Sequence, residues 1–543
     1  MKLFIRIFPV LLLTVTFMLQ SCKNEPATDL TKVSIIPKPV SVVATGKGFL
    51  LTSKTLIHVA KGNGELVSVG QRLASQLNSV TGFANAVEVI DNQPEKGIYL
   101  KIDANDPQLA DEGYRLVIEE ELITITGNKP VGVYMGVQTL LQTVPLTPNS
   151  GAASNEGTYR LATGTIMDYP TYAWRGSMLD VARHFFSVED VKRYIDFISY
   201  YKMNILHLHL SDDQGWRIEI KSWPNLALYG GSTQVGGGKG GYYTQEQYKD
   251  IVAYAAGRYI TVVPEIDLPG HINSALASYG ELNSGIKVPV EGQYKGPNQT
   301  QGILGGKEKP TELYTGIEVG FSTLSLTKPS TFKFVNDVLR ELAEITPGPY
   351  LHIGGDEAHV TKKEDYIEFV NRFTEIVKAN GKQMIGWEEI GQANLDGNSI
   401  LQHWSNVKYA QEGASKGARI IMSPSKRVYL DMQYDSTSRL GLHWAAYIEV
   451  DDSYNWNPAA QVDGIERNQI LGVEAPLWSE TIATMDDIEY MLFPRVIGVA
   501  EIGWSPAEGR SWDEYKLRLA NHGPIMKAKG IDFYRSTRVP WVD

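Results

Sequence analysis

Hydrophobic and polar positions keep two different rhythms along this chain. From residue 33 to about 161 the periods are mixed. Tyr114-Arg115-Leu116-Val117-Ile118-Glu119 and Leu122-Ile123-Thr124-Ile125-Thr126 alternate around Glu120-Glu121, which predicts a hairpin. Apolar residues return every three or four positions over 66–80 and 131–141, which predicts helices. Together these make a small α+β domain without evident chemistry. From Trp174 onward, short apolar runs alternate with helix-period stretches. The runs predict strands at 177–182, 204–210, 259–265, 350–355, 383–387, 399–404, 419–423 and 471–475. Ser187 with Asp190, Thr244 with Gln247 and Thr361 with Glu364 each place an oxygen at a helix cap and an acid or amide three residues on. Eight strands over roughly 300 residues is the count of a closed (β/α)8 barrel. The predicted fold class is therefore α/β, a TIM barrel preceded by a small α+β domain. No internal repeat is found. Residues 288–310, rich in Gly, Pro, Gln and Lys, read as a long loop after the third barrel strand.

The first residues follow another pattern. Lys2 and Arg6 bracket the entry to an apolar run from Ile7 to Leu19, followed by Gln20-Ser21-Cys22. This reads as a secretory signal, and the run is short for a membrane span. Leu-x-Ser-Cys here resembles the bacterial lipobox, in which the cysteine is lipidated and becomes the mature N-terminus. Cys22 is the only cysteine, so no disulfide forms within the chain. The expected organisation is a lipoprotein signal peptide at 1–22, a tether at 23–32, an α+β domain at 33–165 and the barrel at 166–543. The expected location is the bacterial cell envelope, lipid-anchored, in the periplasm or on the outer-membrane surface. Asn298-Gln299-Thr300 fits the glycosylation sequon, a chance match in such a protein.

Over 543 residues the net charge is −11, which argues against a nucleic-acid binder and against broad attachment to acidic membranes. Any membrane contact is expected through the N-terminal lipid alone. Eleven tryptophans and 28 tyrosines suit a packed core or sugar-stacking surfaces, and composition does not choose.

The most informative run is Tyr350-Leu351-His352-Ile353-Gly354-Gly355-Asp356-Glu357. A strand-like stretch ends in two glycines that allow a turn, then in two adjacent acids that can face one pocket. Mutual repulsion is expected to leave one of the pair protonated near neutral pH, as a general acid beside an ionised partner. In a barrel the active site lies at the C-terminal strand ends. Each predicted strand ends in polar or aromatic residues: Arg183-His184, Ser211-Asp212-Asp213, Glu265 with His271, Asp356-Glu357, Trp387-Glu388-Glu389, His403-Trp404, Tyr429-Leu430-Asp431, and Trp478-Ser479-Glu480. Any one has an ordinary structural explanation. Eight at eight strand ends are hard to explain as packing. His207-Leu208-His209, followed by Asp212 and Asp213, also fits the start of a metal-dependent amidohydrolase site. The pair sits inside its strand, however, where a buried hydrogen-bonding layer beneath the pocket explains it better.

Five ordered motifs carry a family resemblance. They are Leu179-Asp180-Val181-Ala182-Arg183-His184-Phe185-Phe186, His207 through Arg217, Val263-Pro264-Glu265-Ile266-Asp267-Leu268-Pro269-Gly270-His271, His352 through Glu357, and Glu474-Ala475-Pro476-Leu477-Trp478-Ser479-Glu480. They resemble glycoside hydrolase family 20, the β-N-acetylhexosaminidases, across the whole barrel. The preceding residues resemble the α+β domain of that family.

The resemblance implies an exo-acting, retaining enzyme that removes β-linked GlcNAc or GalNAc from glycan or glycoconjugate ends. The substrate's own 2-acetamido oxygen is the implied nucleophile, through an oxazolinium intermediate. Glu357 would be the acid and then the base, Asp356 would orient the acetamide N–H, and Tyr429 would donate to its oxygen. Arg183, Glu480 and Asp431 would bind the ring hydroxyls. Trp387, Trp404 and Trp444 would line the acetamide pocket, Trp478 would stack under the sugar, and Asp212 and His271 would support the site. No metal or organic cofactor is implied. The stretch 282–315 is longer than the family pattern leads one to expect, and at the pocket mouth it would shape the leaving-group side. A catalytically silent sugar-binding protein and a metal-dependent amidohydrolase are the competing functions.

Overall fold

The computed structural model describes residues 28–148, 157–290 and 309–543. The signal segment, Cys22, Asn298 and most of the 288–310 loop lie outside the described residues. Among the described residues, no helix is long and apolar enough to cross a membrane.

The N-terminal unit is one seven-stranded sheet in the order β1-β7-β5-β6-β4-β2-β3. Its strands are β1 (Ser41–Leu51), β2 (Ile57–Ala60), β3 (Val87–Ile90), β4 (Gly97–Ile102), β5 (Tyr114–Ile118), β6 (Leu122–Gly127) and β7 (Tyr159–Asp168). The predicted hairpin is β5–β6, paired antiparallel from Tyr114↔Gly127 to Ile118↔Ile123. The two predicted helices are α1 (Gly64–Thr81) and α2 (Pro130–Thr143). Every residue of α2 from Gly132 to Thr143 is buried. A helix buried all round lies between other elements rather than at the surface. The sheet covers one face, and the barrel meets another where Tyr134 and Ser199 share a 2.6 Å hydroxyl hydrogen bond.

Two expectations need correction here. β7 pairs with β5 as far as Asp168, so the sheet runs past the 165/166 division. Residues 28–32 are not a free tether either: Leu30 is 1% exposed and belongs to the main apolar cluster, and Leu30–Lys32 form a short 3₁₀ turn capped by Asp29.

Eight parallel strands close the barrel: Trp174–Asp180, Ile205–His209, Thr261–Glu265, Tyr350–His352, Gln383–Trp387, Ile400–His403, Arg419–Met422 and Ile470–Leu477. The last pairs with the first, Gly472↔Trp174 to Leu477↔Leu179. Ser187 and Thr244 form the predicted capping boxes. Thr361 does not cap its helix. Its hydroxyl is engaged with Thr323, and Lys362 takes the cap position without a side-chain bond.

Period-two alternation fills the barrel in layers. Trp174, Ile205, Val263, Ile385, Ile400 and Ile421 form an apolar floor. Above it lies a buried polar layer of His207, Glu265, His352, Gln402 and Glu474. Met178, Trp387, Tyr429, Met432, Ile448 and Trp478 cluster on top of that. Gly176 belongs to the polar layer because a β-carbon there would lie 2.4 Å from the Glu474 carboxylate.

A buried ion pair joins the sheet to the barrel. Lys202 Nζ donates to Asp168 Oδ2 at 3.0 Å and to the Tyr114 hydroxyl at 2.8 Å. Both charged side chains are wholly buried. Removing one partner strands the other charge. Lys202→Met is therefore expected to lower unfolding free energy by about 3–5 kcal/mol, with part of the loss recovered on adding Asp168→Asn. Denaturant unfolding of both variants checks this, and a loss below about 1 kcal/mol contradicts the uncompensated-charge account.

Candidate active site

The site begins with a turn only glycine permits. Gly354 and Gly355 have φ of 66° and 104°, and a β-carbon on Gly354 would lie 1.9 Å from Asp267 Oδ1. This lets the chain leave the fourth strand sharply and place Asp356 and Glu357 over the barrel mouth, Glu357 itself at φ 45°. Both acids face His271, whose Nε2 is 3.7 Å from Asp356 Oδ2 and 3.5 Å from Glu357 Oε2. His271 in turn is tied through Nδ1 to Asp212 Oδ1 at 3.1 Å.

Asp212 is the junction of the site. It also meets His209 Nε2 at 2.8 Å and Arg183 Nη2 at 2.8 Å. Burial would push its carboxyl up, but Arg183 and the histidines outweigh burial and hold it well below the usual carboxylate range. Arg183 reaches Asp180 as well and lies over the Trp478 ring at 4.8 Å. Asp431 and Glu480 complete this side. Burial and the Glu480 charge hold the Asp431 carboxyl well above the usual range, and burial with the Asp180 charge raises Glu480 against the pull of Arg183. Asp431 Oδ1, Glu480 Oε2 and Asp356 Oδ1 are buried atoms with no hydrogen-bond partner among the described residues. Buried polar atoms left open in this way are free to pair with a ligand.

Aromatic rings form the opposite side. Trp404 lies parallel to Tyr429 with centroids 6.3 Å apart, and Trp444 stands edge-on to both at 6.0 Å. Trp387 is held by its indole N–H, which donates to Glu265 Oε1 at 2.9 Å, and packs against Trp478 at 5.7 Å. Trp444 is 56% exposed, at the rim. The structure thus gathers every candidate residue into one mouth except Cys22, which lies outside the described residues.

The two adjacent acids are shifted in opposite directions. Burial raises Glu357, but the hydrogen bond and charge of His271 more than offset it, and the carboxyl ends below its usual range. Asp356 is raised, chiefly by burial. Burial lowers His271, yet Asp212 and Asp356 outweigh it and the imidazole sits well above its usual value. Asp267 is pushed well above the carboxylate range by burial and by Asp356, with which it shares a hydrogen bond. His271, Asp267 and Asp356 are thus all raised, and Glu357 alone of this group is lowered.

Sequence reasoning gave Asp267 no role, although it stands two residues after Glu265 in a quoted motif. It also gave none to Glu388, Glu389 and His352. By contrast, strand-end residues His184, Asp213 and His403 are bonded into the scaffold through Ser479, Ser322 and Glu388. His207 and His209 form the expected buried layer. His209 Nδ1 is 2.7 Å from Glu265, and His207 Nδ1 is 2.8 Å from Glu474. Among the described residues, four groups of these acids and histidines are compact enough to hold an ion. In the two beneath the pocket, ring nitrogens already face carboxylates.

Comparison with known proteins agrees with the geometry. The profile for "Glycosyl hydrolase family 20, catalytic domain" matches residues 172–507, and that for "Glycosyl hydrolase family 20, domain 2" matches residues 32–169. A β-N-acetylhexosaminidase of Cellulomonas fimi is 39% identical over 513 residues, 94% of this chain and 97% of that protein. The GH20 β-N-acetylhexosaminidase of Streptomyces coelicolor A3(2) superimposes with a TM-score of 0.85 at 46% identity, covering 95% of this chain and 100% of that one. A mutant Streptomyces plicatus β-hexosaminidase in complex with product GlcNAc matches at TM-score 0.85 and 47% identity, over 95% of this chain and 99% of its own.

Proposed function

The chain belongs to glycosyl hydrolase family 20 and is a β-N-acetylhexosaminidase, and from this premise we propose that it is an exo-acting, retaining enzyme in which the substrate's own acetamide is the nucleophile. The observation that carries the reading is Tyr429, which feels the charge of Asp356 and clusters with the rings of Trp387, Trp404 and Trp444. A small amphipathic group fits there. The GlcNAc held by the Streptomyces plicatus relative supports a β-GlcNAc-terminated substrate, and β-GalNAc belongs to the same proposal.

In the first step the acetamide carbonyl oxygen bonds to C1. The C1–O bond breaks, and Glu357 gives its proton to the leaving oxygen. Asp356, with Asp267 holding the neighbouring proton, accepts from the acetamide N–H and stabilises the oxazolinium charge. The Tyr429 hydroxyl, pushed up by burial and by Asp356, stays protonated and donates to the acetamide oxygen. Glu357 then takes a proton from water as that water attacks C1, the C1–O bond to the acetamide oxygen breaks and the acetamide is regenerated, and two inversions give retention. Arg183, Asp431 and Glu480 hold the ring hydroxyls, and Trp478 carries the ring face. No metal enters these steps.

Glu357→Gln is expected to lower turnover by about 10²–10⁴-fold while sugar binding persists. Calorimetry beside steady-state rates checks both halves, and unchanged turnover removes Glu357 from the role.

The pH profile tests the proton inventory. The reactive state needs one proton shared between Glu357 and His271, in a cluster that also contains Asp212, Asp267 and Asp356. Loss of that proton on the alkaline side stops the reaction, and the raised His271 value places this limb above pH 6.5, the ordinary histidine value. In His271→Asn the proton rests on a carboxylic acid alone. The alkaline limb of kcat/KM is then expected to fall by more than about one pH unit. A limb that stays in place contradicts the shared proton.

Chromogenic β-GlcNAc, β-GalNAc and β-glucoside, each with and without chelator, test the nucleophile. The acetamido sugars are expected to be cleaved with chelator present and the glucoside left intact. Comparable glucoside cleavage sinks substrate assistance, and loss of activity with chelator favours the amidohydrolase reading. Attachment through Cys22 to a bacterial envelope is also proposed, on the lipobox pattern. Cys22→Ser should move the protein from the membrane to the soluble fraction of expressing cells, and unchanged fractionation removes the anchor.

A further inference from the structure

Glu388 and Glu389 follow the fifth barrel strand and take no part in the steps above. Glu388 is wholly buried. Its carboxylate gathers the end of the sixth strand. It meets His403 Nδ1 at 2.5 Å and accepts from the backbone N–H of Trp404 at 2.9 Å and of Ser405 at 3.0 Å, and also from that of Asn406. One buried anion thus fixes three successive peptide units through charge-assisted bonds. Glu389 holds the other end of the same residue, accepting from Trp404 Nε1–H at 3.3 Å.

Trp404 borders two spaces. Its ring stacks with Tyr429 and meets Trp444 edge-on. It also lines a cavity of about 420 Å³, with Glu357, His359, Glu388, Glu389 and Tyr409. That volume is many times the roughly 30 Å³ share of one water in the liquid. We propose that Trp404 is a partition between the acyl pocket and this cavity, and that Glu388, by holding the partition in place, sets the largest N-acyl group the enzyme accepts. The inference rests on the reading of Trp404 as a wall of the acetamide pocket. Glu388 is a positioning residue in this account. It touches no substrate and acts through Trp404.

The test uses 4-nitrophenyl β-glucosaminides carrying N-acetyl, N-propanoyl or N-butanoyl groups, with the plain β-glucoside as control. Each added methylene is expected to cost the parent enzyme about 10–200-fold in kcat/KM. In Glu388→Gln the anion is gone and the Trp404 strand end loosens. The N-acetyl rate falls, but the butanoyl-to-acetyl ratio is expected to rise by about tenfold or more. Trp404→Leu opens the partition directly and is expected to raise the ratio likewise, whether or not Glu388→Gln folds. A merely structural role for Glu388 lowers all three substrates by one factor and leaves the ratio alone. A folded Glu388→Gln enzyme with the parent's ratio overturns the role of Glu388, and the parent's ratio in Trp404→Leu overturns the partition. Failure of the underlying reading looks different: the parent then cleaves the plain glucoside as readily as the acetamido sugar.

Discussion

A carboxylate buried inside a barrel must be compensated, and Glu265 is where this structure meets that constraint. Its two oxygens face His209 Nδ1 at 2.7 Å, His207 Nε2 at 2.9 Å, the Trp387 indole at 2.9 Å and His352 Nδ1 at 3.2 Å. Burial opposes its charge, yet the surrounding histidines hold its carboxyl well below the usual range. His207 and His209 are raised in turn to about 9 and about 10, burial acting against them and the carboxylates prevailing. Ion pairs of this kind contribute little net stability against an apolar alternative, but losing one member is severe. What they secure is orientation. His209 carries the arrangement to Asp212, which carries it to Arg183 and His271. The same hub fixes Trp387. Arg183, His271 and Trp387, on different sides of the mouth, thus stand on one buried charge.

Above that layer, the division of labour between Asp356 and Glu357 comes from neighbours rather than from adjacency. The two acids share a turn and an electrostatic field. His271 approaches both, and Asp267 approaches Asp356 alone. One acid is thereby lowered beside the raised imidazole of His271, and the other is raised beside the raised carboxyl of Asp267. This separation of roles is what acid–base chemistry requires of paired groups, and it is supplied by residues 85 or more positions away in the chain.

The N-terminal sheet contributes no side chain to the mouth. Its part is to cover the barrel. Helix α2 is buried on every side between sheet and barrel, and the Lys202–Asp168 pair closes the join. Arg175, at the start of the first strand, adds a 2.6 Å contact to Glu112. The first barrel strand, which leads to Arg183, is thus tied at its base to the preceding unit.

Much of this was legible in the order of residues. Alternation and helical spacing located all eight barrel strands, because side-chain period follows directly from backbone geometry. Glycines before Asp356 announced the turn, and polar strand ends announced the mouth. Errors fell where neighbours from elsewhere intervene. Thr361 has a cap pattern but bonds to Thr323. Leu30 lies in a polar stretch but is buried against the sheet. Asp267 and Glu388 are two acids among 62, and local spacing does not distinguish a solvated carboxylate from one that organises a site. By itself, then, the sequence determined the barrel, the residues at its mouth and the chemistry they are fitted to. Which carboxylates hold protons, which rings form a wall and which buried charge holds that wall were decided only by tertiary structure, because burial and the distance to opposite charge exist only once the strands are side by side.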